Sequence, residues 1–113
     1  MLLIRAEAAL KQNKLDNAVI DVNAIRARAG LADYAGSVTA EAIEGEINHQ
    51  RQSELFTEWG HRWLDLKRTG NIDAVMNAAC TLKGGSWKSE WQLYPISLTE
   101  LQRGVNLFQN QGY

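Results

Sequence analysis

Two glutamate–histidine pairs have a spacing that could support chemistry. Glu46 stands three positions before His49, and Glu58 stands three positions before His61. This is the Glu-x-x-His spacing with which di-iron helical bundles hold their metals. If both pairs lie on one helix, they are about 18 Å apart, and the sequence supplies no second pair of glutamates on separate helices. A small helical metalloenzyme is therefore the least favoured hypothesis.

Charged side chains recur every three or four residues through the same segment. On a helix they would form a ladder in which opposite charges alternate along much of the length, beside bulky apolar neighbours that cover part of it. Because a covered charge has to be paired, the pattern predicts a structural network at a helix interface rather than a catalytic site. The predicted network consists of Arg51, Glu54, Glu58, Arg62, Asp65 and Arg68.

Two tryptophans, Trp87 and Trp91, are the candidates for ligand contact. A sugar ring packs its C–H groups on an indole face, while its hydroxyl groups need polar partners close by. Four polar residues that could supply these partners lie beside the tryptophans, namely Lys88, Ser89, Glu90 and Gln92. The alternative, which the sequence favours, is that the aromatic residues of this region cover the core and anchor the tail.

Helices are the elements that must position these residues. Apolar residues recur at helical spacing from Leu2 to Gln12 and again from Asp16 to Ala29, which predicts an αα-hairpin. Asp16 or Asn17 could cap the second helix, and Gly30 is placed to end it. The expected buried stripes are Leu2, Leu3, Ala6, Ala9 and Leu10 in the first helix, and Leu15, Ala18, Val19, Val22, Ile25 and Ala29 in the second.

A longer helix should begin after Thr39, which is its expected N-cap. It should carry an apolar stripe as far as Lys67, and Gly60 should either kink the helix or split it in two. Further helical segments are predicted at Asn71–Ala79 and Thr99–Arg103, and no run of alternating residues predicts more than an isolated strand. The predicted fold class is all-α. It comprises a tetratricopeptide-like hairpin (1–30), helices that include a long kinked one (39–79) and an irregular tail (80–113).

Composition narrows the possible functions. An apolar share of 45% and a charged share of 22% are those of a folded globular protein. A net charge of -1 provides no basic surface for nucleic acid. The single Cys80 can form neither an internal disulfide nor a cysteine-built metal site, and no cofactor is expected. The chain opens on apolar helical residues without a cap, so we expect Met1 to lie within a helix of a longer protein.

The residues from Arg51 to Gly70, RQSELFTEWGHRWLDLKRTG, resemble the C-terminal signature of the SusD/RagB family. LLIRAEAAL and VNAIRARAGL resemble the family's last repeat-type helix pair, and YPISLTELQRGVNLFQNQGY resembles its terminal block. These blocks cover nearly the whole chain, which on this resemblance is a single domain fragment (1–113). The sequence departs from the family pattern at Gln50, Ser97, Gly104, Val105 and Gln111, which loosens turns where the family has proline.

The resemblance implies a surface-exposed lipoprotein of the outer membrane in Bacteroidetes-type bacteria. Such proteins capture glycans or peptides above a SusC-like TonB-dependent transporter, and they bind without catalysing. The family's ligand-contacting aromatics lie mostly in other segments, so this chain is expected to be mainly a structural scaffold. The signal peptide and lipidated cysteine of the intact protein would precede Met1, and Cys80 is not that cysteine.

Two further expectations concern partners. A helix pair normally covered by earlier repeats would leave an exposed apolar face, which predicts self-association of this chain. The hairpin would also suit a tetratricopeptide-like adaptor that presents a groove to a peptide, and this remains the alternative to a nutrient-binding scaffold.

Overall fold

The computed structural model describes all 113 residues, and its regular elements are helical. The predicted all-α class is therefore confirmed. The chain divides into two compact units, a first unit of Met1–Arg62 and a second unit of Trp63–Tyr113. The helices are α1 (Leu2–Lys11), α2 (Leu15–Arg28), α3 (Ala40–Glu54), α4 (His61–Arg68), α5 (Ile72–Leu82) and α6 (Leu98–Arg103), with a 3₁₀ helix at Ser89–Gln92.

The predicted hairpin is formed by α1 and α2. A three-residue connection joins them, in which Asn13 takes a left-handed conformation with φ of 57°. At the end of α2, Gly30 has φ of 74°. The amide of Gly30 donates to Ala27, and that of Leu31 donates to Arg26, which is the Schellman pattern that ends a helix at a left-handed residue. Gly30 is therefore the C′ residue that the sequence predicted.

Helix α3 completes the core of the first unit by packing against both helices of the hairpin. Ala6 and Ala18 are fully buried, and their small side chains allow helices to approach closely. The stripes were largely predicted, although Leu2 and Ala29 are exposed. The buried core consists of Leu3, Ala6, Ala9, Leu10, Ala18, Val22, Ile25, Ile43 and Ile47.

Capping was predicted correctly for one helix and wrongly for another. The Thr39 hydroxyl accepts a hydrogen bond from the amide of Ala42 at 3.3 Å, which caps α3 as predicted. Neither Asp16 nor Asn17 caps α2. That helix begins at Leu15, its N-cap residue is Lys14, and no side chain makes a capping bond. Asp16 instead lies in the first helical turn, where its negative charge complements the helix dipole.

The long third helix is split rather than kinked, and the interruption begins well before Gly60. Helix α3 ends at Glu54 and α4 starts at His61. Between them Thr57, Trp59 and Gly60 have φ values of 63°, 42° and 69°, which an α-helix cannot contain. The predicted apolar stripe is interrupted here, because Trp59 is 92% exposed.

The second unit contains α5, the 3₁₀ helix, α6 and an irregular C-terminal tail. Helix α5 extends three residues beyond the predicted end at Ala79, and α6 begins one residue before the predicted Thr99. The buried apolar residues of the second unit are Leu66 and Ile72. None of the helices in either unit combines the length and apolar character needed to cross a membrane.

Candidate functional site

Four aromatic residues form a connected cluster in the second unit. The Trp87 ring meets Trp63 edge to face with centroids 6.0 Å apart, and it meets Trp91 in the same way at 6.0 Å. Tyr94 lies 6.1 Å from Trp63 with the ring planes tilted by 40°. The three tryptophans are half-buried, while Tyr94 is exposed. Edge-to-face pairs of this kind add stability beyond the area that they bury. The cluster therefore brings Trp87 and Trp91 together.

The carboxylate of Asp73 organises the segment that carries these tryptophans. It accepts hydrogen bonds from the Trp87 indole Nε1 at 2.7 Å and from the Ser89 hydroxyl at 2.8 Å. The Gln92 amide donates to both carboxylate oxygens, at 3.1 and 3.2 Å. The bonds from Trp87, and then those from Ser89 and Gln92, hold the pKa of Asp73 below its ordinary value, against an opposing effect of burial.

The role of Asp73 could not be recognised from the sequence. It is the second residue of α5, where an acidic residue is commonplace because of the helix dipole. Its partners lie 14 to 19 positions further along, in an irregular segment. The sequence feature that could have indicated it is the group of indole, hydroxyl and amide donors after the glycines at 84 and 85. These donors require a hydrogen-bond acceptor from another part of the chain.

These bonds determine which groups near the tryptophans can meet a ligand. The indole N–H of Trp87 is already bonded to Asp73. Ser89 and Gln92, which were predicted as polar partners for a sugar, also donate to that carboxylate. The Lys88 ammonium lies 5.8 Å from the centroid of the Trp91 ring, a cation–π distance. The arrangement can offer aromatic faces and an ammonium group to a ligand, but not the Trp87 N–H.

The end of the chain is fastened to the segment Leu93–Ile96 by side chains. The Gln109 side chain accepts from the Ile96 amide at 2.8 Å and donates to the Ile96 carbonyl at 3.0 Å. Asn110 donates to the Tyr94 carbonyl at 2.6 Å, and the Tyr113 hydroxyl donates to the Leu93 carbonyl at 2.9 Å. The tail is thus held by side-chain hydrogen bonds and not by the backbone hydrogen bonds of a β-sheet.

The predicted charged network does not form a ladder on one helix. Residues 55–60 leave helical geometry and separate Arg51 and Glu54 from Arg62. Glu58 lies exposed in this turn. On α4, Arg68 contacts Asp65 at 3.2 Å. Whether the six charged residues act as one network stays a prediction.

In the first unit the charged residues pair across helices rather than along one. Arg51 lies 3.9 Å from Glu7 of α1, and Glu54 pairs with Arg28 of α2. Arg26 of α2 contacts Glu46 of α3 at 2.7 Å. Each of these pairs joins two different helices, so charge pairing supports the packing of α1, α2 and α3.

An ion pair between an exposed arginine and a buried aspartate joins α1 to α2. Asp21 is 3% exposed, and Arg5 binds it bidentately, with Nε to Oδ2 at 2.8 Å and NH2 to Oδ1 at 2.5 Å. The Arg5 hydrogen bond lowers the pKa of Asp21, and the bond and charge of Asp21 raise the pKa of Arg5. The two residues are 16 positions apart, so helical spacing within one element could not reveal them.

The two Glu-x-x-His pairs do not share a helix. The first lies on α3, while Glu58 lies in the turn and His61 begins α4. The Glu46 carboxylate is held by Arg26 and by the Gln50 amide at 2.9 Å, and His49 is exposed. No three His, Cys, Asp or Glu side chains converge closely enough to hold a metal.

The comparisons with known proteins agree on one family. The family model described as the SusD family matches residues 1–113. The starch-binding protein SusD of Bacteroides thetaiotaomicron is 30% identical over 115 residues, which cover 98% of this chain and 20% of that protein. A solved SusD superfamily protein from Bacteroides vulgatus has 30% identity and a TM-score of 0.81, over 99% of this chain and 26% of that one. The chain thus spans about a fifth of the length of its curated relative.

Proposed function

Because this chain belongs to the SusD family, we propose that it is the helical scaffold of a nutrient-binding protein and that it catalyses no reaction. The observation that carries the proposal is the match of the family model to all 113 residues. The three-helix core of the first unit, with ion pairs between every two of its helices, suits a structural role. The relative named a starch-binding protein makes a glycan the leading nutrient class.

We propose in addition that the complete protein is a lipoprotein on the outer-membrane surface and works with a SusC-like TonB-dependent transporter. The support is the family resemblance of the signature segment 51–70 and of the terminal block. Affinity purification of the intact protein from its native membrane should recover a TonB-dependent transporter in comparable amount. Recovery without any such transporter would contradict the partnership.

The half-buried tryptophans Trp87 and Trp91 are the proposed contact with sugar within this chain. Their support is the aromatic cluster and the Lys88 ammonium beside it. Titration with a panel that includes maltoheptaose should change tryptophan fluorescence in the wild type and in Trp59→Phe. Trp59 is exposed and lies in the other unit, so it is the matched control.

Substitution of the two tryptophans tests this contact. Trp91→Ala should abolish the fluorescence response if the sugar packs on this indole. Two results would refute the contact and leave the two residues as anchors of the tail. One is a response that persists unchanged in both Trp91→Ala and Trp87→Phe. The other is the absence of any response from the wild type with every sugar in the panel.

We propose that the chain self-associates through exposed apolar residues of its first two helices. Ile4 of α1 and Ile20 of α2 are 59% and 63% exposed, although isoleucine is among the residue types most often fully buried. Sedimentation at increasing concentration should show a dimer or larger species, and Ile20→Lys should shift the distribution to monomer. A wild-type monomer at all concentrations would contradict this.

The assignment of all 113 residues to one domain is likewise a proposal. Limited proteolysis should then cleave first within the exposed turn 55–60 or at the chain ends, and both units should unfold in one transition. Two separated unfolding transitions would show that the units are independent.

A further inference from the structure

We propose that Asp73 is the positioning residue of the tryptophan surface, and that its carboxylate fixes the segment 87–92 so that Trp87 and Trp91 present their rings in one preset arrangement. The inference rests on the proposed sugar contact for its functional meaning. The positioning itself is a separate physical claim. It concerns a residue that neither the family signature nor the charge pattern identified.

Several hydrogen-bond donors converge on the Asp73 carboxylate. A carboxylate has about four lone-pair sites, and the structure gives Asp73 four hydrogen bonds from three side chains. The donors come from an indole, a hydroxyl and an amide within six consecutive residues. One acidic side chain on α5 therefore sets the path of the whole segment.

Asp73 is coupled to the aromatic rings through Trp87. The shortest of the four bonds, at 2.7 Å, is the one from the Trp87 Nε1, and it fixes the plane of that indole. Trp87 then packs edge to face on Trp91, with planes at 84°. Trp91 makes no hydrogen bond to Asp73, so the carboxylate orients it only through Trp87 and through the backbone of the 3₁₀ helix.

A second helix supports the same segment. The Lys67 ammonium on α4 donates to the Gln92 carbonyl at 2.8 Å, while the Gln92 side chain is held by Asp73. Gln92 is thus fixed at its backbone from α4 and at its side chain from α5. Ordered aromatic groups bind a ligand with a smaller entropic cost than mobile ones, so this fixation should raise affinity for a sugar that packs on the rings.

The consequence for recognition follows from the groups that Asp73 occupies. Because Trp87 N–H, Ser89 and Gln92 donate to the carboxylate, a sugar would meet the rings through its apolar C–H face, and the ammonium of Lys88 beside Trp91 is the polar group left to it. Removal of Asp73 would free three donors and mobilise two rings. A ligand could then gain hydrogen bonds, but it would lose the preset surface.

The test uses Asp73→Ala, Asp73→Asn and Ser89→Ala, with Asp33→Asn as control because Asp33 lies exposed in a loop of the first unit. The first readout needs no ligand. The indole N–H resonances of the four tryptophans are recorded by NMR, and that of Trp87 is assigned by its loss in Trp87→Phe. In the wild type and in Asp33→Asn, this proton should exchange slowly with solvent.

The expected result is graded. Asp73→Ala should move the Trp87 resonance and weaken the near-ultraviolet circular dichroism of tryptophan. Asp73→Asn keeps one acceptor oxygen and should change both signals less, and Ser89→Ala should change them least. An unaltered Trp87 resonance in folded Asp73→Ala would overturn the inference. If Asp73→Ala does not fold, the comparison of Asp73→Asn with Ser89→Ala decides, and equal effects of the two would overturn it.

The second readout is maltoheptaose affinity, which separates this inference from the proposed function. Asp73→Ala should bind about tenfold more weakly than the wild type, because the two aromatic side chains would then have to be ordered when the sugar binds. Undiminished binding by Asp73→Ala would overturn the functional part of the inference. A wild type that binds no sugar would refute the sugar contact itself, and the NMR result alone would then decide the positioning claim.

Discussion

The ion pair between Arg26 and Glu46 gives the sharpest test of the scaffold. The two side chains are 20% and 16% exposed, and their charged atoms lie 2.7 Å apart. The Glu46 carboxylate also accepts a hydrogen bond from Gln50 at 2.9 Å, and Gln50 is 3% exposed. Glu46→Ala would therefore remove one partner of a mostly covered arginine and the acceptor of a buried amide.

The size of the effect can be estimated from these two losses. A buried amide left without its partner costs about 1 to 3 kcal/mol, and breaking a fully buried ion pair costs about 3 to 5 kcal/mol. Because Arg26 also donates to the Ala32 carbonyl at 2.8 Å and retains some solvent access, we expect a cost below that of a fully buried pair. Glu46→Ala should reduce the free energy of unfolding by about 2 to 3 kcal/mol.

The same helix supplies a matched control. Glu44 stands two residues before Glu46 on α3 and pairs with Lys11 at 3.4 Å, but the two side chains are 38% and 65% exposed. Exposed pairs contribute about 0.2 to 1 kcal/mol. Glu44→Ala should therefore cost less than Glu46→Ala by at least about 1 kcal/mol, although both changes remove one glutamate from α3.

Urea unfolding followed by far-ultraviolet circular dichroism measures both free energies. A double-mutant cycle with Arg26→Ala isolates the pairwise coupling, which should be about 1 to 2 kcal/mol. Glu46→Gln keeps an acceptor for Gln50 and should lose about 1 kcal/mol less than Glu46→Ala. Equal costs for Glu44→Ala and Glu46→Ala, or a coupling energy near zero, would refute the view that charge pairs between helices hold the first unit together.

Three further predictions test other parts of the fold. The hydrogen bond from Arg5 lowers the pKa of Asp21, so Asp21 stabilises the folded state at pH above its unfolded pKa of about 4, and this stability is lost as the pH falls through the lower pKa of the folded state. Asp21→Asn should therefore flatten the acid side of a plot of urea midpoint against pH. A slope identical to that of the wild type would contradict the assignment. Gly30 and Gly45 both have open space where a Cβ would lie, but only Gly30 has a left-handed φ. Gly30→Ala should therefore destabilise the protein by about 1 kcal/mol, whereas Gly45→Ala should stabilise it by about 0.5 to 1 kcal/mol. Changes of the same sign in urea unfolding would refute the backbone argument. Gln109→Ala removes two hydrogen bonds that fasten the tail and should speed the proteolytic removal of the C-terminal residues. Gln102 is exposed, and Gln102→Ala should leave the cleavage rate unchanged. Equal cleavage rates for the two variants would show that these bonds do not restrain the tail.

Local features of the first unit could be predicted from the sequence because they depend on residues close together in the chain. The apolar spacing of α1 and α2 determined which faces are buried. Thr39 and Gly30 each act within a few residues, through a capping bond and a left-handed φ. Such features need no knowledge of what the helices pack against.

The sequence indicated a kink or a split at Gly60, but it did not reveal that the break between α3 and α4 starts at Leu55. The residues from Leu55 to Trp59 continue a helical apolar period, and only Gly60 has an intrinsic preference for a left-handed conformation. Thr57 and Trp59 also adopt positive φ, which costs free energy for residues with a Cβ. Packing of the flanking helices has to outweigh that cost, and a sequence does not display packing.

The candidate site was only half visible for a related reason. Trp87 and Trp91 are conspicuous because aromatic residues in a glycine-led loop are uncommon in an otherwise helical chain. Asp73 and Asp21 look like ordinary helix residues until their partners, 14 and 16 positions away, are brought to them. Contacts between elements decide their roles.

The most direct test of the central claim is a maltoheptaose titration of the wild-type chain, followed by chromatography of the recovered sugar. A nutrient-binding scaffold without catalytic activity predicts saturable binding that is lost in Trp91→Ala, with all of the sugar recovered at its original length. Shortened sugar after incubation would contradict the claim, because it would show that the chain catalyses hydrolysis rather than supporting a binding protein.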